Sequence, residues 1–105
     1  MKGKIIFISG STDGIGKQAA LELARQGAHI IIHGRNKEKT LATVDFIKSE
    51  SNNENIGFVL ADMSSFQQIK SMSEILHKRY DKIDVLVNNA EHKFTDSIIQ
   101  QMAMS

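Results

Sequence analysis

Eight residues near the start of the chain, Ser9-Gly10-Ser11-Thr12-Asp13-Gly14-Ile15-Gly16, combine three glycines with three hydroxyls and one acid. They follow an apolar run, Ile5-Ile6-Phe7-Ile8, and precede an amphipathic one. Glycines at a turn from strand into helix leave backbone N–H groups bare. They also aim the positive end of the helix dipole at whatever lies above, and the ligand that fits is a phosphate or diphosphate. On this reading Gly10 permits the tight turn, Gly14 lets the backbone approach the diphosphate, and Gly16 lets the helix pack close to the sheet. Ser11 and Thr12 offer hydroxyl donors and Ile15 a backbone donor. The alternative is a glycine turn with no ligand; the strand before it and the helix after it weigh against that.

The end of the next apolar run bears on which dinucleotide the loop would hold. A chain that prefers NAD places Asp or Glu about 20 residues beyond the glycines, to accept from the ribose 2′-hydroxyl. Here the sequence reads His33-Gly34-Arg35-Asn36, with no acid. Arg35, with Asn36 beside it, is able to pair with a 2′-phosphate and to stack on adenine. The alternative is a solvated surface arginine. Asp13, inside the glycine loop, would repel a nearby 2′-phosphate. The balance favours NADP(H) over NAD(H).

Four short apolar runs must carry these groups: Ile5 to Ile8, Ile30 to Ile32, Phe58 to Ala61 and Val85 to Val87. Each is continuous rather than alternating, as strands covered on both faces are. Between them, Ile15, Ala19, Ala20, Leu23 and Ala24 make a helical stripe that Gly27 would end. Leu41, Val44 and Ile47 make a second stripe, with Asn36 as its N-cap. Phe66, Ile69, Met72, Ile75 and Leu76 make a third, with Ser64 and Gln67 at capping-box spacing. Polar Ser49 to Asn55 reads as a surface turn, and a last helical piece is expected near Thr95 to Met104. Strands alternating with helices imply an α/β fold, a Rossmann-like doubly wound parallel sheet with β1–β4, three to four helices and right-handed crossovers.

Composition sets the bounds. A chain of 105 residues is one domain, with 41% hydrophobic and 24% charged residues as in soluble globular proteins. A net charge of +1 gives no reason to expect nucleic acid or membrane as a partner. Without cysteine there is no disulfide, thiolate nucleophile or zinc–thiolate site. No apolar run approaches the ~20 residues of a membrane span, and the N-terminus reads as a first strand rather than a signal peptide, so the expected setting is cytoplasmic. The histidines His29, His33, His77 and His92 share no i, i+4 helical spacing, which argues against a metal site. For His33 a place near the adenosine is one reading, and strand-end packing is the favoured one.

Taken together, these motifs closely resemble the short-chain dehydrogenase/reductase family. Its Thr-Gly-x3-Gly-x-Gly loop appears as Ser9 to Gly16, with serine for threonine. The family's Asp after the third strand is matched by Asp62, which the resemblance places on the adenine amino group, with a backbone contact from Met63. Its Asn-Asn-Ala-Gly appears as Asn88-Asn89-Ala90-Glu91, where the backbone of Asn88 and Ala90 would lie along the cofactor ribose. Residues 4 to 90 match in order and spacing. Gly34-Arg35-Asn36 with Ala61-Asp62-Met63-Ser64-Ser65 looks most like the retinol-dehydrogenase-type branch.

The resemblance implies hydride transfer between nicotinamide and an alcohol or carbonyl, with a Tyr-x-x-x-Lys pair and a serine doing the proton chemistry. That set is not among these residues. Tyr80 is followed four residues later by Asp84 and reads as helix-end packing. The expectation is therefore one NAD(P)-binding domain over residues 1–105, incomplete at its C-terminal end, with no catalytic residue and no turnover of its own. A small alcohol or carbonyl substrate would belong to a complete protein. Glu91 stands where the family has glycine. A positive φ there would cost about 1–2 kcal/mol, and a carboxylate ~4 Å from phosphate would oppose binding by up to about 4 kcal/mol. The family's sheet order, 3-2-1-4, would leave Val85 to Val87 as an apolar edge, so a homo-oligomer or edge-strand association is expected. The competing readings are a non-catalytic dinucleotide-binding or interaction module and a chain with no stable fold.

Overall fold

The computed structural model describes residues 2–89. In strand β1 (Ile5–Ile8), Ile6 and Ile8 join one buried cluster and Phe7 joins another. Strand β2 (His29–Gly34) runs parallel to β1, with Ile6 beside Ile30 and Ile8 beside Ile32. The same alternation therefore puts Ile30 and Ile32 on the first face and Ile31 on the second. Both faces are covered, which is why the runs are unbroken. Helices α1 (Gly14–Arg25) and α2 (Lys37–Ser51) cover the first face through Ala20, Ala24, Val44 and Ile47. Helix α3 (Phe66–Arg79) covers the second through Ile69, Met72 and Leu76. Fully burying each isoleucine or leucine contributes about 1.5–3 kcal/mol. Strands β3 (Ile56–Leu60) and β4 (Val85–Val87) complete a parallel sheet in the order β3-β2-β1-β4. This is the expected Rossmann-like, doubly wound arrangement.

The helices are rotated relative to the expected stripes, for identifiable reasons. Ile15 is 82% exposed, and the buried row of α1 is Gly16, Ala20 and Ala24, with Leu21. Close approach of the Gly16 backbone sets the rotation rather than the largest side chain. In α2, Leu41 is exposed whereas Thr40 and Thr43 are buried. Their hydroxyls donate to the carbonyls of Asn36 at 2.6 Å and Lys39 at 2.9 Å, which satisfies the polar atom within the helix. In α3, Phe66 and Ile75 are exposed. The N-cap is Ser65, whose hydroxyl accepts the Gln68 N–H at 3.3 Å. Ser64 is one residue early because it closes a turn on Asp62. β3 starts and ends before the expected run, although Ala61 still donates to the Gly34 carbonyl at 3.1 Å. α2 extends through Ser51, so the expected turn begins only at Asn52. The helix expected near Thr95 to Met104 lies outside the described residues.

Candidate functional site

Because every strand of the sheet is parallel, the residues that follow the strands collect along one edge. β1 lies between β2 and β4, so the turn after it sits where the strand order reverses, the usual crevice of such sheets. Gly10 has φ +60° and Gly14 φ +53°, a region that side chains disfavour. Among the described residues, a Cβ on Gly14 would meet nothing within 4 Å, so none of them closes the approach over that backbone. A Cβ on Gly16 would lie 2.5 Å from the Gly10 carbonyl oxygen and 2.7 Å from Asn89 Nδ2. Gly16 thus allows the helix to rest on its own loop. Asp13 occupies the N-cap of α1 with extended backbone but makes no side-chain cap. The first-turn amides of a helix have no intrahelical acceptor, so the loop offers donors and a positive dipole end at Gly14 and Ile15.

The first residues of the loop are held from β2. His33 is 3% exposed. Its Nδ1 accepts the Gly10 N–H at 2.8 Å, and its Nε2 lies 2.8 Å from the Ala61 carbonyl oxygen. The Ser11 N–H donates to the His33 carbonyl at 3.0 Å, and the His33 N–H donates to Ser11 Oγ at 2.8 Å. Ser11 is fully buried, with its hydroxyl turned inward to His33 rather than outward. It holds the loop and is not an open donor. Burial lowers the His33 pKa, opposed in part by the hydrogen bond to Ala61. His33 is therefore a hydrogen-bonding hub, where the sequence suggested packing.

Beyond the end of β2, Thr12, Asp13, Arg35, Asn36, Glu38 and Lys39 line an open hollow of ≈380 Å³. Arg35 is exposed. Asn36 caps α2, its Oδ1 accepting the Lys39 N–H at 2.9 Å. Asp13, the acid expected to disfavour a 2′-phosphate, is paired with Lys39. From sequence Lys39 reads, with Lys37 and Glu38, as a solvated first turn of α2; its pairing with Asp13, 26 residues away, depends on the tertiary fold.

Asp62 stands on the same edge. Its Oδ1 accepts the Ser64 N–H at 2.9 Å and the Ser64 hydroxyl at 2.6 Å, which fixes the carboxylate. The Met63 side chain is buried in the second core cluster. At the end of β4, Asn88 Oδ1 accepts from the Ser9 hydroxyl at 3.2 Å. Asn89 donates from its backbone to Ser9 Oγ at 2.8 Å and from Nδ2 to the Gly10 carbonyl at 3.1 Å. Asn89, which the sequence reading left without a role, ties β4 to the glycine loop. Ala90, Glu91 and His92 lie outside the described residues. Tyr80 is remote from this edge. It closes α3, meets His29 edge-on at 5.3 Å, and has its hydroxyl against Gly57. Burial raises its pKa. No group of three or more metal-ligating side chains occurs among the described residues, and none of the described helices is long and apolar enough to cross a membrane.

A family model described as short chain dehydrogenase matches residues 4–103. Human retinol dehydrogenase 13 is 36% identical over 88 residues, which is 84% of this chain and 27% of that protein. The chain thus spans about a quarter of the length of that curated relative. The Pseudomonas aeruginosa RhlG structure, an NADP complex, superposes with a TM-score of 0.86 at 23% identity, over 99% of this chain and 46% of its own. The L-sorbose reductase of Gluconobacter frateurii, solved with NADPH and L-sorbose, gives a TM-score of 0.79 at 27% identity, over 88% of this chain and 35% of its own.

Proposed function

The chain belongs to the short-chain dehydrogenase family, and from that membership we propose that it forms the cofactor-holding part of an NADP(H)-dependent oxidoreductase. The diphosphate would rest on the amides of Gly14 and Ile15, with Gly10, Ser11, Thr12 and Gly16 shaping the loop. Asp62 and Met63 would bound the adenine, and Asn88 and Ala90 the ribose. A bound nicotinamide would supply or accept hydride for an alcohol or carbonyl.

The observation that carries the cofactor preference is the hollow beyond β2, which Arg35 and Lys39 both line and where Asp13 is paired with the lysine. A 2′-phosphate placed there gains two cations, and Lys39 can exchange its carboxylate partner for it. The NADPH complex of the 27%-identical L-sorbose reductase supports the same reading. No Tyr-x-x-x-Lys occurs in the 105 residues, so we expect no turnover from residues 1–105 alone. Among the described residues β4 pairs with a strand on one side only. Edge-strand association or a homo-oligomer follows from that as part of the proposal.

Fluorescence titration with NADPH and NADH tests the reading. NADPH should bind more tightly, and Arg35→Ala should weaken it by roughly tenfold to a hundredfold, the value of a charge-assisted hydrogen bond, while leaving NADH unchanged. Lys39→Ala should weaken NADPH less, because its charge is exposed. Equal affinity for both nucleotides would remove the NADP(H) preference. Binding of neither would remove the dinucleotide reading. Steady carbonyl reduction by residues 1–105 would refute the expected inactivity.

A further inference from the structure

The geometry around His33 fixes more than the shape of a loop. A backbone amide can only donate and a carbonyl can only accept. With Gly10 N–H on Nδ1 and the Ala61 oxygen on Nε2, each at 2.8 Å, the ring must carry its one proton on Nε2. It is neutral and in a single tautomer. A second proton would set an N–H against the Gly10 N–H, and the contact would have to open. Gly10 is the residue that turns the chain at φ +60°, so opening it shifts the first turn of the loop.

Among the described residues, the groups packed against the ring offer nothing that would offset a positive charge on it. The groups against it are Phe7 of β1, with ring centroids 6.1 Å apart, Gly10 and Ser11 of the loop, and Ala61 after β3. None of them titrates. Asp62, next along the chain from Ala61, has its Oδ1 on Ser64, and Asp13 is paired with Lys39. Among the described residues no buried side-chain nitrogen or oxygen lacks a hydrogen-bond partner in this arrangement.

We propose that neutral His33 is the positioning residue of the glycine loop, and that a proton on Nδ1 releases Gly10 and weakens dinucleotide binding. The binding half rests on the dinucleotide reading above; the release of Gly10 does not. Burial holds the folded-state pKa of the ring below its ordinary 6.5. The loop is therefore latched above that value, and opens as pH falls through the folded-state pKa. In the same window the unfolded chain takes up the proton first, so stability also declines toward acid.

The experiment has two readouts on the 105-residue chain. The first needs no ligand: NMR of the Gly10 amide and the His33 ring from about pH 8 to about pH 5. The two should titrate together, with far-UV circular dichroism showing the fold intact. A Gly10 amide that ignores the His33 titration overturns the proposal. The second is titration with ADP-ribose or NADH, which carry no 2′-phosphate to titrate. The dissociation constant should be flat above about pH 6.5 and rise about tenfold per pH unit below the folded-state pKa. His33→Asn keeps an acceptor near the Nδ1 position without titrating, and should flatten the profile. His33→Ala should weaken binding at every pH. A pH-independent wild-type constant, or an unchanged profile in His33→Asn, overturns the binding half. If Gly10 and His33 titrate together but no nucleotide binds at neutral pH, the dinucleotide reading fails and the latch survives.

Discussion

The two ends of β2 carry a histidine each, and they are held in different ways. His29, at the start, meets the edge of Tyr80 at 5.3 Å with rings 79° apart. His33, at the end, engages a backbone amide and a backbone carbonyl through its two nitrogens. Burial lowers both pKa values, but only at His33 does a proton break a directional bond. The difference lies in how each ring is held and in what surrounds it. Around His33, Ser9, Ser11, Asn88 and Asn89 cross-link loop and strands through hydrogen bonds with fixed donors and acceptors. At the His29 end Asp84 Oδ2 accepts the Ile5 N–H at 2.8 Å and Asn53 Nδ2 donates to the Ala24 and Ala28 carbonyls at 2.9 and 2.8 Å, but the His29 ring itself is held by packing. Directional bonds hold atoms to a few tenths of an ångström, as a diphosphate cradle needs, whereas packing gives when a side chain changes.

The sharpest test sets two glycines against each other. At the site edge, a Cβ on Gly16 would meet the Gly10 carbonyl oxygen at 2.5 Å and the Ser11 Cα at 3.1 Å, both backbone atoms. At the far edge, a Cβ on Gly57 would meet the Tyr80 hydroxyl at 2.8 Å, the tip of a side chain that can swing aside. Gly16→Ala should cost about 1–3 kcal/mol of stability, the range for forced overpacking, and abolish nucleotide binding. Gly57→Ala should cost less and leave binding intact. Urea denaturation followed by circular dichroism, with an NADPH titration alongside, measures both. Equal losses would mean that the two edges are equally rigid.

The next effect is smaller and distinguishes capping from ligand contact. Asn36 Oδ1 accepts the Lys39 N–H, so Asn36→Ala should destabilise by about 1 kcal/mol through α2. Asn36→Asp retains an acceptor and should restore that stability. It also adds a negative charge beside Arg35, and should therefore weaken NADPH more than NADH. A stable Asn36→Asp variant with unchanged NADPH affinity would place the 2′-phosphate elsewhere.

What the sequence disclosed follows the same division. Strands were legible because both faces are covered, and unbroken apolar runs are a local property: Ile5 to Ile8 and Val85 to Val87 have the bounds that the sequence reading assigned them. The glycine spacing was legible because turn geometry is local too. Helix rotation was less so, since Thr40 and Thr43 hide their hydroxyls within the helix while Ile15 and Phe66 face outward. The His33 hub was not legible at all. It joins residues 23 and 28 positions apart, which only strand register brings together.

The smallest expected effect belongs to the far edge and reads as a pH profile. Asp84 Oδ2 accepts the Ile5 N–H at 2.8 Å, and Lys82 lies 3.3 Å from its other oxygen. Chiefly the Ile5 amide, and then Lys82, hold its pKa below the ordinary 3.8. As acid is added, the unfolded chain protonates first. The contribution of Asp84 is thus present above 3.8 and disappears as pH falls through the folded-state value. Asp84→Asn can still accept the Ile5 N–H but has no proton to gain. Its urea midpoint should lie slightly below wild type near neutrality, where the charge contributes, and decline less steeply in acid, so that the two converge. Because the carboxylate braces only the start of β1, nucleotide affinity should not follow that decline, whereas the His33 profile should carry affinity with it. Parallel acid profiles for stability in Asp84→Asn and wild type would show that this end of the sheet draws nothing from the charge.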